Sequence, residues 1–156
     1  MNVHNLDNIF KPKRIALLGI SSNPQSVSGR ILSNLVTGGF AGVVYPVNPS
    51  LEAVMGIQCY PDIKSLPNKP DLAVVCSETE GVPAYIRQCG EAGILGIIIV
   101  TAGFKETGER GRELETEIQQ IRAEYPGMRI MGPNCLGFIS PGSKLNVSFG
   151  DGMPKK

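Results

Sequence analysis

The segment Gly19-Ile20-Ser21-Ser22-Asn23-Pro24-Gln25-Ser26-Val27-Ser28-Gly29-Arg30 gathers small, turn-forming and hydroxyl-bearing residues. Such residues let an anionic group come close to the backbone, so the segment can cradle a pyrophosphate. Alone it is a weak signal, because glycine after a strand is common in every α/β fold. It lacks the G-K-[ST] ending of a P-loop, which argues against an NTPase of that type. Gly19 to Asn23 also matches half of a G-x-S-x-G nucleophile elbow. The second glycine is missing, however, and the single histidine, His4, precedes the segment, which argues against a serine hydrolase.

The next stretch that bears on ligand choice is Tyr45-Pro46-Val47-Asn48-Pro49-Ser50. An NAD site usually offers an acid near this point to the ribose 2′-hydroxyl; here stands Asn48. A neutral amide neither chelates that diol nor repels a ribose phosphate, which moves the reading from NAD toward a nucleotide phosphorylated on its ribose, such as coenzyme A. Cys76-Ser77-Glu78 and Thr101-Ala102-Gly103 supply small groups and hydroxyls that can either contact a pantetheine arm or simply turn the chain. In Gly132-Pro133-Asn134-Cys135-Leu136-Gly137 the glycines allow tight backbone and Asn134 can donate and accept hydrogen bonds; as a bare turn it needs no further explanation.

These segments matter together only if something brings them to one edge. Each follows an apolar run: Arg14 to Ile20, Gly42 to Val47, Leu72 to Cys76, Gly96 to Thr101 and Arg129 to Gly132 are expected strands, nearly all apolar because a parallel sheet is buried on both faces. Helical spacing over about Ser26 to Thr37, Thr79 to Ala92 and Thr107 to Tyr125 supplies the crossovers, with Gly38, Gly93 and Gly127 where helices tend to stop. Leu114, Ile118, Ile121 and Tyr125 form a stripe facing the sheet, which is core and not a site. The expected fold is α/β, a Rossmann-like three-layer sandwich with a mainly parallel sheet of about five strands. In such sheets ligands bind beyond the carboxyl ends of the strands, where helix N-termini carry unsatisfied N–H groups. Residues 1–140 are expected to form this domain. Residues 141–156 lose the pattern and read as a tail without elements, or as the start of a linker to a second domain.

A chain of 156 residues fits one domain. With 15 basic and 14 acidic side chains the net charge is +1, so no overall field draws it to nucleic acid or an anionic membrane, and an anion must be held locally. No apolar run is long enough to span a bilayer and no signal-like region opens the chain, which points to a cytoplasmic protein without membrane or nucleic-acid partners. Cys59, Cys76, Cys89 and Cys135 form no C-x-x-C pair and are expected to be free thiols, with no metal site.

Four segments in order, R-I-A-L-L-G-I-S at 14–21, G-G-F-A-G-V-V-Y-P-V-N-P at 38–49, I-I-I-V-T-A-G-F-K-E at 97–106 and I-M-G-P-N-C-L-G at 130–137, resemble the CoA-binding domain of acyl-CoA synthetases that form ADP, a family related to the α subunit of succinyl-CoA synthetase. The resemblance implies that Gly19, Ile20, Ser21 and Ser22 meet CoA phosphates. It implies further that Val47, Asn48, Pro49 and Ser50 line the adenosine side and that Cys76, Ser77, Thr101 and Ala102 flank the cofactor. It places Asn134 and Cys135 near a phosphohistidine that lies outside this fragment, in a second CoA-ligase domain that works with an ATP-grasp domain. The implied role is binding of coenzyme A or acyl-CoA for an acid:CoA ligase, the fragment itself being inactive. Related CoA-binding domains fused to protein lysine acetyltransferases, and NAD(H)-sensing Rossmann modules, are the alternatives. The sequence departs from the family pattern at Ser50, where a lysine is frequent, at Ser28, where a glycine is common, and at Ser77-Glu78, where valine-proline is usual.

Overall fold

Ile15, Leu17 and Leu18, Leu72, Val74 and Val75, and Ile97 to Ile99 are wholly buried. Runs with no exposed side fit a sheet covered on both faces, hence parallel strands joined by crossovers. The computed structural model, which describes residues 5–154, has that architecture. In chain order the elements are α1 (Leu6–Phe10), β1 (Arg14–Leu18), α2 (Val27–Thr37), β2 (Val43–Val47), β3 (Ala53–Val54), β4 (Ile57–Gln58), β5 (Leu72–Val75), α3 (Val82–Glu91), β6 (Gly96–Ile99), α4 (Glu109–Glu124), β7 (Arg129–Met131), β8 (Ile139–Ser140) and β9 (Leu145–Asn146).

Five strands form one sheet in the order β2-β1-β5-β6-β7, and every adjacent pair is parallel. Alternate strand residues point to opposite faces. Ala16, Leu18, Ala73, Val75, Ile97 and Ile99 pack against Val82 and Ile86 of α3 and Leu114, Ile118 and Ile121 of α4. Ile15, Leu17, Val74 and Ile98 pack on the other side against Ile31, Leu32 and Leu35 of α2. That gives the three layers expected from the sequence. Among the described residues no helix is long and apolar enough to cross a membrane. His4 lies outside the described residues.

Element ends shift for identifiable reasons. Pro83 occupies the first turn of α3, where its missing N–H is harmless, so the α-helix starts at Val82 and Thr79–Gly81 form a separate 3-10 turn. The hairpin β3–β4, absent from the sequence reading, turns through Met55 and Gly56, both at positive φ, the backbone of a two-residue hairpin loop. Methionine at the first of these positions conceals the turn.

The larger difference follows Ser140. The segment expected to lack elements makes a 3-10 turn at Pro141–Ser143 and then strand β9, which pairs antiparallel with β8. Leu145 and Val147 are buried in the core that α2 shares. Asn34 of α2 donates from Nδ2 to the carbonyls of Ser148 (2.9 Å) and Gly150 (2.8 Å). Asn146, itself fully buried, accepts from the Ser148 N–H and hydroxyl and donates to Gly152 O. These bonds satisfy polar groups that would otherwise be costly to bury, so a polar-looking segment lies against the sandwich.

Candidate nucleotide-binding cleft

The chain passes from β1 to its neighbour β2 on one side, then returns to β5 on the other, so the loops after β1 and β5 part at the carboxyl edge of the sheet. An open α/β sheet binds ligands at such a switch point. A cleft of about 680 Å³ lies there, walled by residues 19–22, 26–28, 48–51, 76–78 and Gly81.

The first wall begins at Gly19, whose φ is +79° and whose missing Cβ would sit 2.6 Å from Ser77 Cα. Both the turn and the contact require glycine. The Val47 carbonyl accepts from the N–H groups of Gly19 (3.0 Å) and Ile20 (3.3 Å), tying the loop to the end of β2. The serines then order the loop internally. Ser26 caps α2, its Oγ accepting from Gly29 N at 3.0 Å and donating to Asn23 O at 2.7 Å. Ser28 is buried, and its Oγ accepts from Ser21 N at 2.9 Å. At this position the departure from glycine is built into the loop and takes up one backbone donor. Among the described residues the N–H groups of Ser22, Val27 and Ser28 keep no partner, and the last two sit on the first turn of α2 at the positive end of its dipole.

Asn48 spans both walls of the β1–β2 edge. Its Nδ2 donates to Ile20 O at 2.7 Å and its Oδ1 accepts from Ser50 N at 2.8 Å. An aspartate could not make the first bond, so the amide has a structural reason to stand here whichever nucleotide binds. Pro49 and Ser50 are exposed on the rim. Val47 lies apart from its expected role, because its side chain is wholly buried and only its carbonyl serves the loop. Ile20 is likewise buried and presents backbone.

On the β5 side Cys76 is half-buried beneath the cleft, and burial pushes its thiol up to about 12, so it stays neutral near pH 7. Ser77 presses its backbone on Gly19. Thr101 and Ala102 stand one layer back. Thr101 Oγ1 donates to Ser77 O at 2.9 Å, and Ala102 O accepts from Thr79 Oγ1 at 2.8 Å. Asn134 and Cys135 lie further along the same edge, at the end of β7. Asn134 has φ 53° and donates from its N–H to Thr101 O at 2.9 Å, and Cys135 N reaches Ile99 O at 3.3 Å. A side chain at Gly132 would collide with that same Ile99 carbonyl. All four cysteines are free.

The cleft thus gathers Gly19, Ile20, Ser21, Ser22, Asn48, Pro49, Ser50, Cys76 and Ser77, and adds Ser26, Val27, Ser28, Leu51, Glu78 and Gly81. The capping pattern of Ser26 at the loop–helix junction was the signal available for the added helix N-terminus. Arg30, one turn into α2, is turned toward Phe149 O (3.5 Å) and Asp151 (3.9 Å) and does not line the cleft.

A parallel α/β sandwich with a serine- and glycine-rich loop opening its first crossover helix at the switch point is a nucleotide-binding domain of the doubly wound class. Residues 13–141 match the family model described as a CoA binding domain, and the chain belongs to that family, as found in ADP-forming acyl-CoA synthetases. The alpha subunit of ADP-forming acetate–CoA ligase II of Pyrococcus furiosus is 40% identical over 144 residues, 92% of this chain and 31% of that protein. An ADP-forming 4-hydroxybutyrate–CoA ligase of Nitrosopumilus maritimus is 38% identical over 149 residues, 94% of this chain and 21% of the ligase. The structure of Ca. Korarchaeum cryptofilum acetyl-coenzyme A synthetase 1 in its apo form superposes with a TM-score of 0.86 at 40% identity, covering 93% of this chain and 31% of the other. The chain therefore spans about a third or less of the length of these relatives.

Proposed function

We propose that the cleft holds coenzyme A with its diphosphate against Ser22 and the first turn of α2, its adenosine against Asn48, Pro49 and Ser50, and its pantetheine running past Cys76 and Ser77. The observation that carries this reading is the Gly19–Ser28 loop, which leaves backbone N–H groups free at a helix N-terminus and packs Gly19 directly on Ser77. Small side chains and unpartnered donors suit a phosphate better than a hydrophobic ligand. Thr101 and Ala102 act as supports that hold the β5 and β6 loops together. The Thr101–Asn134 backbone bond gives the pantetheine arm a continuous floor toward β7.

The whole protein to which this domain belongs is proposed to join an acid to CoA with ATP as the energy source, releasing ADP and phosphate. In that scheme the phosphohistidine belongs to a further CoA-ligase domain or subunit, the phosphate donor site to an ATP-grasp unit, and Asn134 and Cys135 face the place where they meet. The relatives are named for joining CoA to different acids, among them acetate and 4-hydroxybutyrate.

Thermal unfolding of the 156-residue chain tests the ligand. CoA is expected to raise Tm in a concentration-dependent way while NADH leaves it unchanged. Stabilisation by NADH alone overturns the assignment and returns the cleft to a dinucleotide.

A further inference from the structure

Helix α2 has two neighbours at once. Its first turn lines the cleft at Val27 and Ser28, and its flank carries a strap formed by residues 145–152. Leu145 and Val147 of the strap are buried in one cluster with Ile31, Leu32 and Leu35. Asn34, only 9% exposed, spends its side-chain amide donors on the strap, reaching Ser148 O at 2.9 Å and Gly150 O at 2.8 Å. One turn nearer the cleft, Arg30 reaches Phe149 O at 3.5 Å and Asp151 at 3.9 Å. The cleft loop rests on the same helix, because a side chain at Gly29 would lie 2.5 Å from Asn23 O. The back of that loop, at Pro24 and Gln25, and the strap, at Gly150 to Gly152, line a common cavity of about 320 Å³ together with Asn34.

We infer that Asn34 is a positioning residue for the cleft: by clamping the strap it fixes how α2 presents the N–H groups of Val27 and Ser28, so that CoA binding and strap docking strengthen each other. This deepens the CoA reading and rests on it. Side chains packed at interior density pass a shift of the helix to whatever lies against it. Donors held in place before the ligand arrives spare the complex the cost of ordering them. When the strap lets go, α2 loses Leu145, Val147 and both Asn34 bonds along one flank, and the ligand must order its first turn instead. The coupling is reciprocal, because a ligand that prefers the clamped helix favours docking of the strap by the same factor.

The test reads hydrogen exchange of the 156-residue chain with and without saturating CoA. The N–H groups of Ser148 and Gly150 are bonded within the strap, to Asn146 Oδ1 and Ser148 Oγ, so they exchange when the strap opens. CoA is expected to slow them roughly five- to fiftyfold. The N–H groups of Lys11 and Tyr125, at helix ends that do not line the cleft, should keep their rates. Calorimetry on Asn34→Ala should show CoA binding weakened by a similar factor, and in that variant CoA should no longer slow Ser148 and Gly150. An asparagine that only held the fold together would lower the melting temperature yet leave the CoA affinity of the folded chain unchanged. The wild-type exchange measurement decides the matter even where the variant fails to fold. Strap amides that exchange alike with and without CoA, in a chain that gives CoA heat, overturn the inference and leave the CoA reading intact. Slowing of equal size at Lys11 and Tyr125, or a folded Asn34→Ala that binds CoA as wild type does, has the same consequence. Absence of CoA heat in the wild type overturns the CoA reading itself, and the inference with it.

Discussion

The cleft at β1/β5 and the Gly132–Gly137 loop at the end of β7 sit on the same edge of the sheet, yet they are built differently. The cleft loop is braced from within: Ser21, Asn23, Ser26 and Ser28 bond one another, Val47 holds its start, and Ser77 closes against Gly19. The β7 loop has a single internal bond, Gly137 N to Cys135 Sγ at 3.3 Å, and is otherwise held from behind, through Ile99 O and Thr101 O, while Asn134 and Leu136 are exposed, the leucine at 70%. We propose that binding and chemistry are separable along one edge. The first region gathers its loop, helix N-terminus and β5 wall from this domain, and the second is proposed to be half of a site.

The comparison breaks most sharply at Gly19. Gly19→Ala places a side chain at positive φ and against the Ser77 backbone, and it is expected to destabilise the fold by roughly 2–5 kcal/mol, from left-handed strain plus overpacking. Urea unfolding and CoA titration should both register it. Asn134→Ala, at the other region, should leave CoA affinity within about twofold, because its contacts to the sheet use backbone. A large loss of CoA binding in Asn134→Ala would erase the separation.

Asn48→Asp comes next. It removes the donor to Ile20 O and sets a carboxylate facing a carbonyl, at a cost of about 1–3 kcal/mol. If Asn48 acted only as a ribose selector, this variant would preserve stability and gain NADH binding; the loop geometry predicts lost stability instead, measurable by thermal melts without ligand.

A smaller gain is expected from Ser50→Lys, which adds a positive charge on an exposed rim position. CoA affinity measured in EDTA should rise roughly three- to thirtyfold, and the gain should shrink as salt is added. An increase that ignores salt would show that the side chain acts by some means other than charge.

The parallel sheet was legible because Ile15–Leu18, Leu72–Val75 and Ile97–Ile99 are buried on both sides, a condition that leaves an unbroken apolar run in the sequence. The loops that follow them were legible for the same reason, since a doubly wound sheet fixes which ends face the ligand. What stayed hidden was set by polar partners. Asn34 in mid-helix and Asn146 and Ser148 in a supposed tail look like surface residues, and only their mutual hydrogen bonds explain their burial. Val47, Thr101 and Ala102 lie one layer further back than their positions in the sequence suggest, because sequence order shows which strand end a residue follows but not whether its side chain turns inward. The importance of Asn48 is visible in the sequence, while its reason, the bond to Ile20 O, belongs to the fold.

The separation of the two regions is tested most directly by following backbone amides of the 15N-labelled chain by NMR during a CoA titration. The account predicts the largest shifts at Gly19 to Ser28, at Ser50 and at Ser77, with the amides of Leu136 and Gly137 almost unmoved. Shifts centred on Gly132 to Gly137, with the Gly19–Ser28 loop silent, would contradict it.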